Sequence, residues 1–279
     1  MIKRILVALD PDSDTPVATR YAIQIARNTD ASLTGLAVVD SGSIESSVRG
    51  GGIGSMYYAE KLREEMTEES RTRARDLLKT FERTLEGSGI PHVESVEEGV
   101  PFRRIVEDMK YHDLLIVGND PHFFYSHPKK RTDTLAGVIH HTVGPSLIVP
   151  DVYCNVKKVL FATDGGSAAA RAIRRFIHLA PFGSDLEMHV LHIHGKGSAD
   201  AELYLALTKT YLEAHGFEPR LSNIVEEDAG KEILRQANAI EADLIISGSQ
   251  THKGLRGLRF GETTGHLVEH TSIPLFLDH

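Results

Sequence analysis

Short, nearly continuous apolar runs recur along the chain, Ile5-Leu6-Val7-Ala8-Leu9 and Leu114-Leu115-Ile116-Val117 among them, separated by segments whose apolar residues repeat at helical spacing. A run that is apolar throughout, rather than alternating, describes a strand buried on both faces, and intervening helices supply the crossovers of a parallel sheet. The pattern predicts a doubly wound α/β architecture. In the N-terminal half it predicts strands near 2–9, 32–39, 92–96, 113–117 and 146–149, and helices near 14–29, 56–87, 101–110 and 133–142. Ser13, Asp14 and Thr15 offer N-caps for the first helix, while Gly87 and Gly89 stop the long second helix before Pro91. The C-terminal half predicts strands near 157–163, 185–193, 220–225, 243–247 and 273–277, with helices near 167–180, 199–215, 229–240 and 262–270.

The two halves repeat each other. Lys3-Arg4-Ile5-Leu6-Val7-Ala8-Leu9-Asp10 matches Lys157-Lys158-Val159-Leu160-Phe161-Ala162-Thr163-Asp164, and Asp113-Leu114-Leu115-Ile116-Val117-Gly118 matches Asp243-Leu244-Ile245-Ile246-Ser247-Gly248. His141-Thr142 with Pro145 matches His270-Thr271 with Pro274 in the same order. Self-similarity of this kind decides architecture: two homologous domains, 1–150 and 156–279, with the first lengthened largely between Ser41 and Tyr58. The join around Tyr153-Cys154-Asn155 is short and not Gly/Ser-rich, so the halves are expected to pack as an intramolecular pseudo-dimer, with further homodimerisation left open.

Composition narrows the function classes. In 279 residues, 31 Lys plus Arg against 39 Asp plus Glu leave a formal charge of −8, which argues against nucleic acid as a main partner. A single cysteine, Cys154, excludes an internal disulfide framework and any CxxC metal or redox site, and points to a reducing, cytoplasmic setting. The opening run Ile2-Lys3-Arg4-Ile5-Leu6-Val7 reads as a strand rather than a leader, and no apolar run approaches the roughly 18 residues of a membrane span.

In an open parallel sheet, ligands bind beyond the carboxyl ends of the strands where the direction of connection reverses. That rule delivers Asp10 and Asp164 from the first strands, Val38 and Ile193 from the second, and the loops after Gly118 and Gly248. An acidic side chain accepts hydrogen bonds from ribose or amino groups, and a glycine before a helix N-terminus presents amides to phosphate. Taken singly, the aspartates read better as helix caps and the glycines as strand-exit turns; only the combination favours a site.

The Lys-Arg-Ile-Leu-Val-Ala-Leu-Asp and Lys-Lys-Val-Leu-Phe-Ala-Thr-Asp openings, Val190-Leu191-His192-Ile193, the Asp-Leu-(Leu/Ile)-Ile-(Val/Ser)-Gly strands and the closing His-Thr-x-x-Pro strands resemble the universal stress protein family in its tandem form, over essentially the whole chain. The resemblance implies two tandem Rossmann-like (adenine nucleotide alpha hydrolase-like) domains, each a five-stranded parallel sheet of order 3-2-1-4-5 with flanking helices and pairing through the last strand. Many members bind ATP through Gly-x2-Gly-x9-Gly-(Ser/Thr) after the fourth strand. Carried over, Gly248 is the first glycine, Thr251 replaces the second, His252 to Phe260 fill the spacer, Gly261 is the third, and Glu262 takes the hydroxyl position with Thr263 next. The implied roles are Asp164 on ribose or base, the Ile193 backbone on the adenine edge, and Gly248, Gly261 and Thr263 on phosphates. Glu262 sets a carboxylate against them unless Mg²⁺ bridges or it points away, and Lys253, Arg256 and Arg259 offset part of that charge. In the first half only Gly118 survives: Pro121 removes an amide donor, and Thr132-Asp133 replaces the closing glycine pair. A standard ATP site is therefore expected only in the second half.

The remaining candidates read more simply. The glycine cluster Gly50-Gly51-Gly52 with Gly54 follows a second strand and is no dinucleotide fingerprint. Lys129-Lys130-Arg131, Tyr57-Tyr58 and Phe123-Phe124-Tyr125 read as solvated or packing residues. His192 and His194 share a strand face near the cleft rim and with His252 sketch a metal site, but no Cys or HExxH pattern supports zinc, so no metal is assigned. No catalytic motif appears, so the chain reads as a stress-response binding module. A nucleotide-independent scaffold or binder of another small molecule is the alternative, and slow ATP hydrolysis with Glu262 or His252 orienting water is a third reading.

Overall fold

Strands buried on both faces need helices on both sides of the sheet, and the computed structural model supplies them. It describes residues 1–10, 15–41, 44, 56–119, 131–195, 200–249, 251–254 and 257–279, and only the backbone of 56, 131–134, 251–254 and 257–259. The first half runs β1 (Arg4–Ala8), α1 (Thr15–Thr29), β2 (Ser32–Asp40), α2 (Met56–Leu85), β3 (His92–Gly99), α3 (Pro101–Met109), β4 (Leu114–Gly118), α4 (Arg131–His141) and β5 (Ser146–Val149). The second runs β6 (Lys158–Thr163), α5 (Ser167–Leu179), β7 (Glu187–His194), α6 (Ala201–Ala214), β8 (Arg220–Val225), α7 (Ala229–Ala239), β9 (Leu244–Gly248), β10 (Thr251–Gly254), β11 (Gly257–Phe260), α8 (Glu262–His270) and β12 (Leu275–Asp278).

Ten strands form one sheet in the order β3-β2-β1-β4-β5-β12-β9-β6-β7-β8. Within each half all pairs are parallel, and each half reads third, second, first, fourth, fifth from its outer edge. The halves meet where β12 runs antiparallel to β5, with Phe276 opposite Leu147 and Leu275 opposite Ile148. Alternate strand residues feed opposite core layers: Ile5, Val7 and Leu9 enter one, Leu6 and Ala8 the other. Each layer is continuous across both halves.

The extra length of the first half, expected mainly between Ser41 and Tyr58, lies substantially in a helix: α2 has 30 residues where α6 has 14. Its C-terminal part buries Ala74, Leu78, Phe81 and Leu85, and β2 admits the Phe81 ring because position 35 is glycine, where a Cβ would lie 2.7 Å from that ring. Beyond the sheet, Tyr57, Tyr58 and Leu62 are exposed. The helix ends before Gly87 and Gly89, whose φ values of 74° and 72° suit the chain reversal expected there.

A polar clamp fixes the join. The Tyr21 hydroxyl of α1 donates to the Cys154 carbonyl (3.0 Å), accepts from the Cys154 amide (3.1 Å) and touches its Sγ at 3.2 Å. Burial, then the Cys154 thiol, hold the Tyr21 phenol protonated well above its usual range. Tyr153 donates to Gln24 Oε1 and lies 4.7 Å from the Tyr21 ring, while Arg20 stacks over Tyr153 at 3.7 Å. Tyr21→Phe strips the Cys154 amide of its acceptor, a buried loss of about 1–3 kcal/mol. Equilibrium urea unfolding is expected to show that decrease with an unchanged native circular dichroism spectrum.

Candidate functional site

β6 ends at Thr163, and from Asp164 the chain must turn sharply to start α5. Gly165 takes φ 79°, its amide donates to Thr163 Oγ1 (3.0 Å), and the Gly166 amide donates to Asp164 Oδ1 (2.7 Å). Asp164 thus ties the helix entry yet remains exposed at the rim. Its counterpart differs. Asp10 is buried at 2% exposure, its amide donating to Thr15 Oγ1, whose hydroxyl donates back to the Asp10 carbonyl.

Beyond the strand ends of the second half lies a cleft of about 180 Å³. Ala162, Thr163 and Ile193 form its floor, Ser247 and Gly248 one side, and Ala229 and Ile233 of α7 the other. Two helices begin against it, α5 through Ala168 and Ala169 and α8 through Glu262, Thr263 and Thr264. Their N-caps are Gly166 and Gly261, which have no side chain to offer, and neither helix has a side-chain cap. The intrahelical bonds begin with the Ala170 amide on the Gly166 carbonyl (3.1 Å) and the Gly265 amide on the Gly261 carbonyl (2.8 Å). Two sets of first-turn amides, each with the positive end of a helix dipole, therefore converge on one cleft. By contrast, α7 is capped, with Asp228 accepting from the Lys231 amide at 3.2 Å.

The structure brings Asp164, Ile193, Gly248, Gly261, Glu262 and Thr263 together around this cleft. Glu262 lines it while exposed to solvent. Of Thr251 the structure describes the backbone, which pairs with Phe260 across β10 and β11. The spacer between the second and third positions of the motif forms an antiparallel hairpin, β10 with β11, paired from Thr251–Phe260 to Gly254–Gly257. β11 lies against α4 of the first half, and Phe260 is buried in the shared apolar layer. Gly248, which lines the cleft, also has a packing task. A Cβ there would lie 2.4 Å from the Ala169 nitrogen and 2.6 Å from the Ala168 carbonyl carbon, so the glycine admits the α5 backbone.

Sequence reasoning missed Ala168, Ala169, Ala229 and Ile233; the small residues Ala168-Ala169-Ala170 at a helix start were the available signal. His192 and His194 share a strand face as expected, but the pleat turns it from the cleft that Ile193 lines, and His192 faces Tyr204 of α6 at a ring distance of 6.0 Å. Burial, with a smaller contribution from His194, pushes the His192 imidazole below its usual value, against the opposing Thr163 carbonyl and Asp164. The side chains of His252, Lys253, Arg259, Arg131, Thr132 and Asp133, and residues 49–55, 120–130 and 256 with Pro121, Lys129, Lys130 and Phe123 among them, lie outside the described residues.

The sequence profile of the universal stress protein family matches residues 1–150 and again residues 155–278. The chain belongs to this family. The universal stress protein Slr1230 of Synechocystis sp. (strain ATCC 27184 / PCC 6803 / Kazusa) is 26% identical over 287 residues, spanning 98% of this chain and 99% of that one. The crystal structure of a universal stress protein from Archaeoglobus fulgidus DSM 4304 shares the fold with a TM-score of 0.71 at 17% identity, covering 99% of this chain and 97% of that one. A functionally unknown protein, PA1789 of Pseudomonas aeruginosa PAO1, does so with a TM-score of 0.64 at 17% identity, covering 99% and 92%. Among the described residues of this tandem universal stress protein, no helix is long and apolar enough to cross a membrane.

Gly248→Ala forces the α5 entry away from β9. Overpacking of this kind costs about 1–3 kcal/mol, and thermal unfolding of the variant is expected to show it.

Proposed function

We propose that this tandem universal stress protein is a cytoplasmic stress-response binding module, with domains 1–150 and 156–279, whose second domain holds an adenine nucleotide. The observation that carries the reading is the convergence of two helix N-termini without side-chain caps, α5 and α8, on one cleft. Amides without intrahelical partners and aligned dipoles suit a phosphate. Ala162, Ile193, Ala229 and Ile233 supply an apolar slot for a base, with Asp164 at the rim to accept from ribose or an amino group. Ile193 contributes its backbone edge, and Gly261 and Thr263 the phosphate-facing amides. If the ligand is ATP, Mg²⁺ fits the oxygen donors of Glu262 and the phosphates. The first domain, with Asp10 buried and Pro121 in its loop, takes no standard nucleotide.

Glu262 favours a second reading, a scaffold that binds another small molecule or none, because a carboxylate at the cleft opposes added negative charge. Titration calorimetry of the full chain separates the two. AMP, ADP and ATP are the probes, with and without Mg²⁺. At Gly261 an aspartate is a favourable N-cap, so Gly261→Asp keeps α8 while occupying its amides and repelling phosphate. The nucleotide reading expects binding by the parent and at least ~10-fold weaker binding by this variant, a difference of about 1.4 kcal/mol. Equal affinities would remove the site, and no heat with the parent would leave the scaffold.

Glu262→Gln is expected to tighten ATP by about five-fold without Mg²⁺, the value of roughly 1 kcal/mol for a like charge near 4 Å in water. Adenosine, measured in parallel, is expected to be unchanged.

A further inference from the structure

On the face of β7 opposite the cleft, His192 and His194 form a pair with an unusual pattern of hydrogen bonds. His192 Nδ1 lies 3.0 Å from the Thr163 carbonyl and His194 Nδ1 lies 2.8 Å from the Gly195 carbonyl. A carbonyl oxygen only accepts, so each Nδ1 carries a proton, and in the neutral ring each Nε2 is left as a bare lone pair. Both Nε2 atoms are buried and neither has a hydrogen-bond partner among the described residues. An unpaired buried acceptor is costly, and an adjacent pair of them calls for an occupant.

The geometry narrows the occupant. The ring centres are 5.5 Å apart and the planes are tilted by 35°. Two imidazoles sharing one tetrahedral ion at bond lengths of about 2.0–2.1 Å place their ring centres roughly 5–6 Å apart. The Nδ1–H to carbonyl bond on each ring is the outer contact that fixes a metal-binding histidine with Nε2 as the donor. Hard ions such as Mg²⁺ and Ca²⁺ require oxygen donors, whereas imidazole nitrogen suits the zinc and copper class. Two carboxylates lie in the surroundings of the pair. Asp164 acts electrostatically on His192, and Glu227 Oε2 is 3.5 Å from where a Cβ on Gly195 would lie. Tyr204 closes one side, its ring seated on Gly165 where a Cβ would be 2.4 Å away. No group of three or more His, Cys, Asp or Glu able to hold an ion is found among the described residues, so these residues supply two ligands.

We propose that His192 and His194 bind a divalent ion of the zinc class through their two Nε2 atoms, at a site on the opposite side of the sheet from the nucleotide cleft. It does not rest on nucleotide binding and can stand or fall apart from it.

The test uses Zn²⁺ on the full chain carrying His266→Ala. That background removes the closest-stacked of the further histidine pairs, His266 and His270 of α8 at 4.2 Å; His140–His141, His140–His279 and His178–His215, at 5.0, 5.4 and 5.4 Å, remain, and anomalous diffraction separates binding at them from binding on β7. Competition against a chromophoric chelator is expected to give one equivalent of bound Zn²⁺, and anomalous diffraction is expected to place it between the two rings. Asparagine keeps an N–H donor near the Nδ1 position and lacks Nε2. His194→Asn is therefore expected to weaken Zn²⁺ by at least ~10-fold, the least that disturbing a metal's protein ligation costs, while unfolding and any nucleotide affinity stay unchanged. His192→Asn, at the more buried position, is expected to weaken it similarly. Unchanged Zn²⁺ affinity in His194→Asn would overturn the assignment, as would anomalous density elsewhere. So would a map from Zn²⁺-soaked crystals with only a water donating to both Nε2 atoms.

Discussion

The antiparallel ladder between β5 and β12 is the contact on which the rest of the molecule depends. Alone, each half would end in a four-residue strand with unpaired amides and carbonyls along one side, an edge that invites uncontrolled pairing. Joining the two edges converts both into the middle of a ten-stranded sheet. Leu147, Ile148, Leu275 and Phe276 are there at no more than 1% exposure, and both core layers run through the seam without a break. Antiparallel pairing of equivalent strands is also what a two-fold relation between repeated halves demands. The Tyr21, Tyr153 and Cys154 clamp fixes the covalent link from another side, so the halves are held by backbone, apolar and polar contacts together.

Within that symmetric frame the halves have diverged in how they treat equivalent strand ends. Asp10 is drawn inward, and its backbone is closed on Thr15. Asp164 spends one carboxylate oxygen on the Gly166 amide and keeps its place at an open rim. The difference begins with a few residues. Gly165 and Gly166 allow a tight reversal in which the α5 cap has no side chain to satisfy its own amides, whereas Asp228 does satisfy those of α7. An uncapped helix start is locally unfavourable. Two of them aimed into the same cleft concentrate that unmet hydrogen-bonding capacity in one place.

The fold was legible because its signals are periodic. Apolar runs, the repeat of the Asp-ended strands and the glycines after α2 fix strand and helix positions without tertiary information. The site was legible only as a set of strand ends. Gly248 reads by motif as a phosphate-binding glycine; that it also admits the backbone of Ala168 and Ala169 is a contact no local pattern reveals. The β10–β11 hairpin had a local signal only in two glycines separated by two residues, Gly254 and Gly257, which the spacing of the nucleotide loop obscured. The face of His194 follows from strand alternation; which side of the sheet that face sees follows only from the packing of α6.

The hairpin carries a last consequence of the shared sheet. β11 leads directly into Gly261 and the first turn of α8, and besides its partner β10 it packs against α4 of the first half. Phe260, the residue joining hairpin to helix, is buried in a layer that also holds Leu135, Ala136 and Ile139 of α4. The position of the α8 amides is thus set by packing against the half whose own strand-end aspartate is buried. Interiors packed at crystal-like density transmit displacement instead of absorbing it, so a shift of α4 moves the cleft wall of the other half. The first half therefore helps to shape the candidate site as a structural support.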